Sequence, residues 1–467
     1  MTVEPAAGGV ARSSPAGRRV VAAAVLGSGL TMLDGTVVNV ALRSIGEDLD
    51  ASLAQLQWVT NGYLLALASL ILLGGSLGDR LGRRRVFVAG TIGFALASLL
   101  CGLAPTPEVL VAARVAQGVA AAALAPGSLA MIQGAVRPAD RAAAIGTWTG
   151  LGAIAAAAGP FVGGLLVDHA SWRWVFLVNL PLAAATVWLA RGVPETRDPH
   201  AAPRLDWAGA ALATLGLAGA TYALIEWGRP LAPAAAAVGV AGLVAFVVVE
   251  RRERWPMLEP GLFADRTFAA ANAMTLLVYG ALGAMTFFLT LQLQVVGGYT
   301  ALQAGLASLP LTVCMLLLAS RGGALGARTG PRLPLSLGPL VMAAGVLLLL
   351  GAGERPYVVG VLPGITVFGL GLALLVAPLT ATVLAPAPDE HAGVASGVSN
   401  AVARAGTLLA VAALPMAVGL GGEEYADPAL LDPAFGRAML ACAGLLVAGG
   451  VLSWLTVRAD VLRAPVR

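Results

Sequence analysis

Two charged side chains stand where charge is costly. Asp34 falls inside an apolar run over 20–41, and Arg114 lies inside another that extends to about residue 133. A charge at the centre of a bilayer-spanning helix costs about 2.5–3.5 kcal/mol on insertion scales, so such groups face a cavity or each other. Burial disfavours the charged form of a carboxylate, which suits a group that takes up and releases a proton. An arginine keeps its charge and needs a partner or water. Asp34 is its one obvious acidic candidate in the first half of the chain. This is chemistry for moving protons or binding solutes. The residues of a membrane-embedded enzyme are not assembled: His169, His200 and His391 are scattered between apolar runs, and Cys101, Cys314 and Cys442 lie within them. No metal-ligand spacing and no phosphate-binding Walker loop is present, so no cofactor is expected.

The segment 75–86 reads Gly75-Ser-Leu-Gly78-Asp79-Arg80-Leu-Gly82-Arg83-Arg84-Arg-Val86. Gly78 and Gly82 permit a tight loop, the arginines anchor it to one membrane face, and Asp79 can pair with one of them or sit at a helix N-terminus. This order resembles the signature loop of the major facilitator superfamily. The resemblance implies a latch between two halves, with Asp79 making a contact that breaks on inward opening. Leu33-Asp34-Gly-Thr36-Val-Val-Asn39-Val-Ala-Leu42 resembles the first-helix signature of the drug:proton antiporters with fourteen spans. Arg114-Val-Ala-Gln117-Gly118 resembles an element of the same family. Together they imply that Asp34 and Arg114 carry proton coupling.

In the fifth apolar run, Gly150, Gly159, Pro160, Gly163 and Gly164 put small residues where another backbone can approach closely. The ending resembles a motif of antiporters rather than symporters, and this implies export. Asn39, Trp58, Gln117, Gln294 and Arg404 are candidates to line a substrate cavity. Arg404 would bind an anionic substrate or face Asp34 across that cavity. With so few carboxylates inside the runs, a neutral, zwitterionic or anionic substrate is expected over a dication.

These residues need a scaffold of spans. The chain has 467 residues, is 58% hydrophobic and 12% charged, and has a mean hydropathy of +0.84. A soluble domain runs near 45–50% apolar and about 25% charged. The apolar stretches divide into about fourteen segments near the roughly 20 residues a spanning helix needs. Lipid satisfies no backbone polar group, so the spans are helices or a closed barrel. The long unbroken apolar runs exclude barrel strands, which alternate.

Every basic residue is arginine. With the N-terminus cytoplasmic, 22 fall on the tails and cytoplasmic gaps and five on the opposite side. That bias puts both termini inside and requires an even span number.

The segment 75–86 recurs as Gly323-Ala-Leu-Gly326-Ala327-Arg328-Thr-Gly330-Pro-Arg332, and Ala125-Pro126 recurs as Ala377-Pro378. The shift corresponds to eight spans, so two helices are inserted between two six-helix halves. Ala327 stands where Asp79 does, so the second copy is expected to lack the switch.

The expected fold is all-α integral membrane, of the major facilitator type. Its parts are a tail over 1–19, a bundle over 20–192, two inserted helices with linkers over 193–266, a bundle over 267–457 and a tail over 458–467. The expected function is proton-coupled efflux of small organic compounds by alternating access across a bacterial inner membrane. The expected partners are a small-molecule substrate, protons and lipid, without nucleic acid, for a monomer. An importer or uniporter on the same fold is the alternative. A channel would need a filter loop or a charged ring.

Overall fold

A computed structural model describes residues 9–199, 201–385 and 392–459. His200 and His391 lie outside the described residues, as do residues 1–8 and 460–467 of the two tails. Among the described residues, thirteen helices are long and apolar enough to cross a membrane, and a fourteenth is shorter. In chain order they are α1 (Pro15–Leu49), α2 (Leu53–Leu81), α3 (Arg83–Gly102), α4 (Pro107–Ala135), α5 (Pro138–His169) and the shorter α6 (Trp174–Ala190). Then come α7 (Trp207–Ile225), α8 (Ala232–Glu250), α9 (Arg266–Val295), α10 (Ala301–Thr329) and α11 (Arg332–Gly351), followed by α12 (Tyr357–Leu384), α13 (Gly393–Ala417) and α14 (Pro428–Thr456).

The sixth expected span, over 173–191, is the shorter one, and it is interrupted. A first turn over Trp174–Leu177 gives way to a helix over Asn179–Ala190. Pro181 has no N–H to offer the carbonyl of Leu177, so the ladder breaks there. The same effect interrupts α10 at Ser308, ahead of Pro310, and α12 at Val361, ahead of Pro363.

The helices pack in two matching sets. In the first, α2 lies on α4, α1 on α5, α3 on α4 and α1 on α6. In the second, α10 lies on α12, α9 on α13, α11 on α12 and α9 on α14. Each partner is displaced by eight helices, in keeping with the sequence repeat. Small residues set both contacts: a Cβ on Gly74 would come 2.0 Å from the Ala122 carbonyl oxygen, and one on Gly322 would come 2.4 Å from that of Ala373. Close backbone approach of this kind is how spanning helices associate without a hydrophobic driving force.

Between the two sets, α7 and α8 form a hairpin in which Gly216 and Gly219 meet Leu243, Gly239 and Gly242. Helix α7 rests on both α2 and α13, across the seam of the bundles.

The segment 75–86 is not a loop of several residues, as its glycines suggested. Residues 75–81 are the last turns of α2, and α3 begins at Arg83. Only Gly82 lies between them, at φ +120°, a backbone region that glycine enters freely. Its counterpart Gly330 has φ +84° and separates α10 from α11 in the same way.

Candidate functional site

Asp34 and Arg114 meet in the interior of the first bundle. They are 0% and 1% exposed, and the Arg114 guanidinium donates to Asp34 Oδ2 at 2.6 Å. The other carboxylate oxygen accepts from Gln117 Nε2 at 2.8 Å and Asn179 Nδ2 at 3.1 Å. Both amides also donate to Ser98 Oγ, at 2.8 and 3.3 Å. Arg114 further donates to the Val59 carbonyl at 3.0 Å and to Gln117 Oε1 at 2.6 Å. The Tyr63 ring covers the guanidinium at 4.4 Å and Phe176 approaches at 5.7 Å.

Side chains from α1, α2, α3, α4 and α6 therefore surround one ion pair. Gly118 makes this possible, since a Cβ there would sit 2.4 Å from the Tyr63 carbonyl oxygen. Without that close approach of α2 to α4 the ring could not cover Arg114.

A desolvated ion pair is sustained only where further hydrogen bonds saturate both members. Here three donors saturate the carboxylate. Some polar atoms nearby lack partners: the Tyr63 hydroxyl, Asn179 Oδ1 and both side-chain polar atoms of Asn61. These are groups that a rearranged pair, a water or a solute can engage.

At the α2–α3 turn, Asp79 Oδ1 accepts from Arg83 Nε at 2.8 Å, and Arg83 also reaches the Ala130 carbonyl on α4. The stretch after α6 binds this turn. The Arg83 N–H donates to the Thr196 carbonyl, and the Asp198 N–H donates to that of Asp79. Glu195 accepts from the Arg84 N–H at 3.0 Å and lies near the Arg84 and Arg85 guanidiniums. A Cβ on Gly78 would come 3.9 Å from Arg83 Cα, and one on Gly75 would come 3.8 Å from Pro126. Arg80 lies in the last turn of α2.

On α5, Gly159, Gly163 and Gly164 are tightly met. A Cβ on each would come within 1.9 Å of Thr36 Oγ1, 2.4 Å of Val37 and 2.4 Å of Leu302 Cα. Pro160 touches Gly305 of α10 through its carbonyl. Gly150 has nothing within 4 Å, so it does not join this contact.

The proposed cavity residues do not converge. Gln117 is locked into the ion-pair network. Trp58 donates to Glu226, at the C-terminal end of α7, at 3.2 Å. Gln294 is spent on the Val40 carbonyl at 2.9 Å, joining the two bundles. Asn39 is half-buried on α1. Arg404 is half-buried on α13, and the ion pair of Asp34 is with Arg114 instead.

Hydrogen bonds between the bundles gather at the end opposite Gly82. Gln57 Nε2 donates to the Val411 carbonyl at 2.7 Å, the Tyr425 hydroxyl to that of Ala51 at 2.8 Å, and the Leu53 N–H to that of Gly422 at 2.8 Å. Arg43 reaches the Gln294 carbonyl, and Asp168 caps the start of α10 through the Ala301 and Leu302 N–H groups. That end of the molecule is shut.

Sequence reasoning missed Ser98, Asn179, Tyr63 and Glu195 as parts of these sites. Their signal was present: Ser98, Asn179 and Tyr63 are polar groups inside apolar runs, and Glu195 is an acid close in sequence to an arginine-rich face.

The profile of the Major Facilitator Superfamily matches residues 24–411. The puromycin resistance protein pur8 of Streptomyces alboniger is 38% identical over 450 residues, covering 92% of this chain and 89% of that protein. The tetracenomycin C resistance and export protein of Streptomyces glaucescens is 35% identical over 430 residues, covering 87% of this chain and 78% of that protein. Among solved structures, that of a D-xylose-proton symporter superposes with a TM-score of 0.68 at 14% identity, covering 95% of this chain and 98% of the other. The last comparison bears on the fold alone.

Proposed function

The chain belongs to the major facilitator superfamily, and on that premise we propose that it is a proton-coupled exporter of small organic compounds in a bacterial cytoplasmic membrane. It is a multi-pass helical transporter with relatives named for antibiotic resistance and export. Antibiotic-like molecules are the substrate class we assign to it. The observation that carries the coupling is the buried Asp34–Arg114 pair.

We read α6 as a spanning helix, which makes fourteen spans and leaves both termini cytoplasmic, as the arginine bias requires. Residues 20–192 and 267–457 are the two moving bundles, and 193–266 is the inserted hairpin with its linkers. The shut end is then the outer face, and the molecule is open inward with Asp34 ionised. Substrate enters from the inside in this state. Closure at the Gly82 end opens the outside, where a proton neutralises Asp34, frees Arg114 and favours release. The return to the inward state delivers the proton to the cytoplasm and re-forms the ion pair. A ligand shifts such an equilibrium only by its differential affinity for the two states, and the pair supplies that difference for the proton. Asp79, with Arg83, is assigned to the inner latch. Gly159, Pro160, Gly163 and Gly164 are assigned to the outer closure.

The test uses inverted vesicles carrying the purified chain, an acid-inside gradient and a pH-sensitive dye inside. A panel of antibiotics, dyes and aromatic metabolites is added one compound at a time. Dissipation of the gradient by one compound in the wild type, absent in Asp34→Asn, is the expected result. Solute movement without proton movement would replace this reading with a uniporter or importer.

A further inference from the structure

Helices α1 and α5 leave a crevice on one flank of their contact. Toward the shut end, Gly159 and Gly163 press onto Thr36 and Val37. Further along, a Cβ on Gly152 would come 3.3 Å from Met32 and one on Gly29 would come 3.4 Å from Ala155, and Trp148 Nε1 donates to Ser28 Oγ at 2.8 Å. Beside this contact, toward the end opposite the shut one, lies a crevice of about 440 Å³. Its walls are apolar, from Val21, Ala22, Val25, Leu26 and Leu151, and Arg12 and Arg18 stand at its rim.

The rim is built. Arg12 donates to Thr147 of α5 at 2.8 Å, and its backbone N–H donates to Asp140 at 2.9 Å. Asp140 is itself paired with Arg137 at 2.6 Å, so its charge is already shared. Arg18 has no ion pair among the described residues and is exposed. An arginine rim above an apolar slot, at the end of a spanning helix, is complementary to a molecule with an anionic head and an apolar chain. Guanidinium–phosphate contacts are among the stronger hydrogen bonds available to proteins.

We propose that this crevice holds one anionic phospholipid, with its phosphate between Arg12 and Arg18 and an acyl chain along Val25 and Leu26. The proposal rests on the reading that this end faces the cytoplasm, where the leaflet carries anionic lipid. The lipid fills the crevice from inside the bilayer. It thereby steadies α1, the helix that carries Asp34, against α5.

The full chain, purified in phosphatidylcholine nanodiscs, is titrated with phosphatidylglycerol of the same acyl chains. Retention is read by native mass spectrometry and stability by thermal unfolding. Phosphatidylglycerol is expected to bind on the order of tenfold tighter than phosphatidylcholine and to raise the unfolding temperature. R12A/R18A abolishes that preference, R12K/R18K retains part of it, and Ala22→Phe weakens the binding of both lipids by filling the slot. Equal retention of the two lipids by the wild type, or an R12A/R18A variant that keeps the preference, would overturn the site. So would inorganic phosphate competing as well as the lipid, since the slot would then contribute nothing. Labelling of a cysteine at position 12 in sealed cells reports the sidedness separately. Labelling from outside would sink the orientation while the binding measurements still decide the site.

Discussion

At the residue scale, the Asp34–Arg114 pair carries the sharpest predictions. Removing one member of a buried pair leaves the other charge uncompensated, which costs about 3–5 kcal/mol. Asp34→Asn is therefore expected to lower stability and to abolish proton-coupled export together. Asp34→Asn/Arg114→Gln recovers most of the stability, because no buried charge remains, and stays uncoupled. Thermal unfolding in detergent and the vesicle assay separate the two effects, and a coupled double variant would remove the pair from the mechanism. Tyr63 offers a finer test. Its hydroxyl has no partner while its ring covers Arg114. Tyr63→Phe is expected to change stability by less than about 0.5 kcal/mol, whereas Tyr63→Ala loses the cation–π contact and leaves a hole, at a cost of about 3 kcal/mol or more. Much of this site was legible beforehand, because a charge inside an apolar run announces itself. The amides of Gln117 and Asn179 were not, since nothing in their spacing says that helices α4 and α6 converge on α1. Trp58 and Gln294 misled for the same reason: polar character shows that a residue wants a partner, not which helix will supply it.

At the element scale, α5 separates glycines that pack from glycines that do not. Gly159→Ala and Gly163→Ala drive a methyl group into Thr36 and Val37, and each is expected to reduce export by tenfold or more, on the order of 1.4 kcal/mol. Gly150→Ala meets empty space and should leave transport rates unchanged. Equal effects at the three positions would mean that the motif acts through backbone flexibility instead of contact. The α2–α3 turn makes a similar point. Its glycines and arginines were plain in the sequence, and so was the recurrence over 323–332. The compactness of the turn was not, because one positive-φ glycine can do what a loop of several residues does elsewhere. The break in α6 follows from Pro181, whose missing N–H leaves the Leu177 carbonyl without its helical partner.

At the scale of the whole molecule, the shut end is a strap of the second bundle laid over the first. Residues 418–427 bring Tyr425 over Gly46, with its hydroxyl on the Ala51 carbonyl. Burial and the carboxylates of Glu47, Glu423 and Asp50 push that hydroxyl above its ordinary range. A raised tyrosine pKa means that the contribution of the protonated form is complete below pH 10 and is lost only as pH rises through the shifted value. The strap is expected to hold unchanged between pH 5 and pH 9. Cysteines at positions 51 and 425, bridged by a short reducible bifunctional thiol reagent, should arrest export reversibly. Continued export with the crosslink intact would show that the shut end does not need to open. Thirteen of the expected spans were legible from hydropathy, and the repeat from the eight-span shift. Which end is closed was not, since the sequence is the same in every state of the cycle.

The placement of α7 has a kinematic meaning. Trp58 bonds it to α2 through Glu226, Leu73 and Met257 pack with its Ala210 and Ala213, and the stretch that precedes it is tied to the α2–α3 turn. Toward α13 it presents Leu217 and Ala218 beside Ala401, a smooth apolar face. A body bonded on one side and apolar on the other is expected to travel with the side that bonds it. In the proposed cycle the added pair would then ride on the first bundle as ballast while the second slides past it.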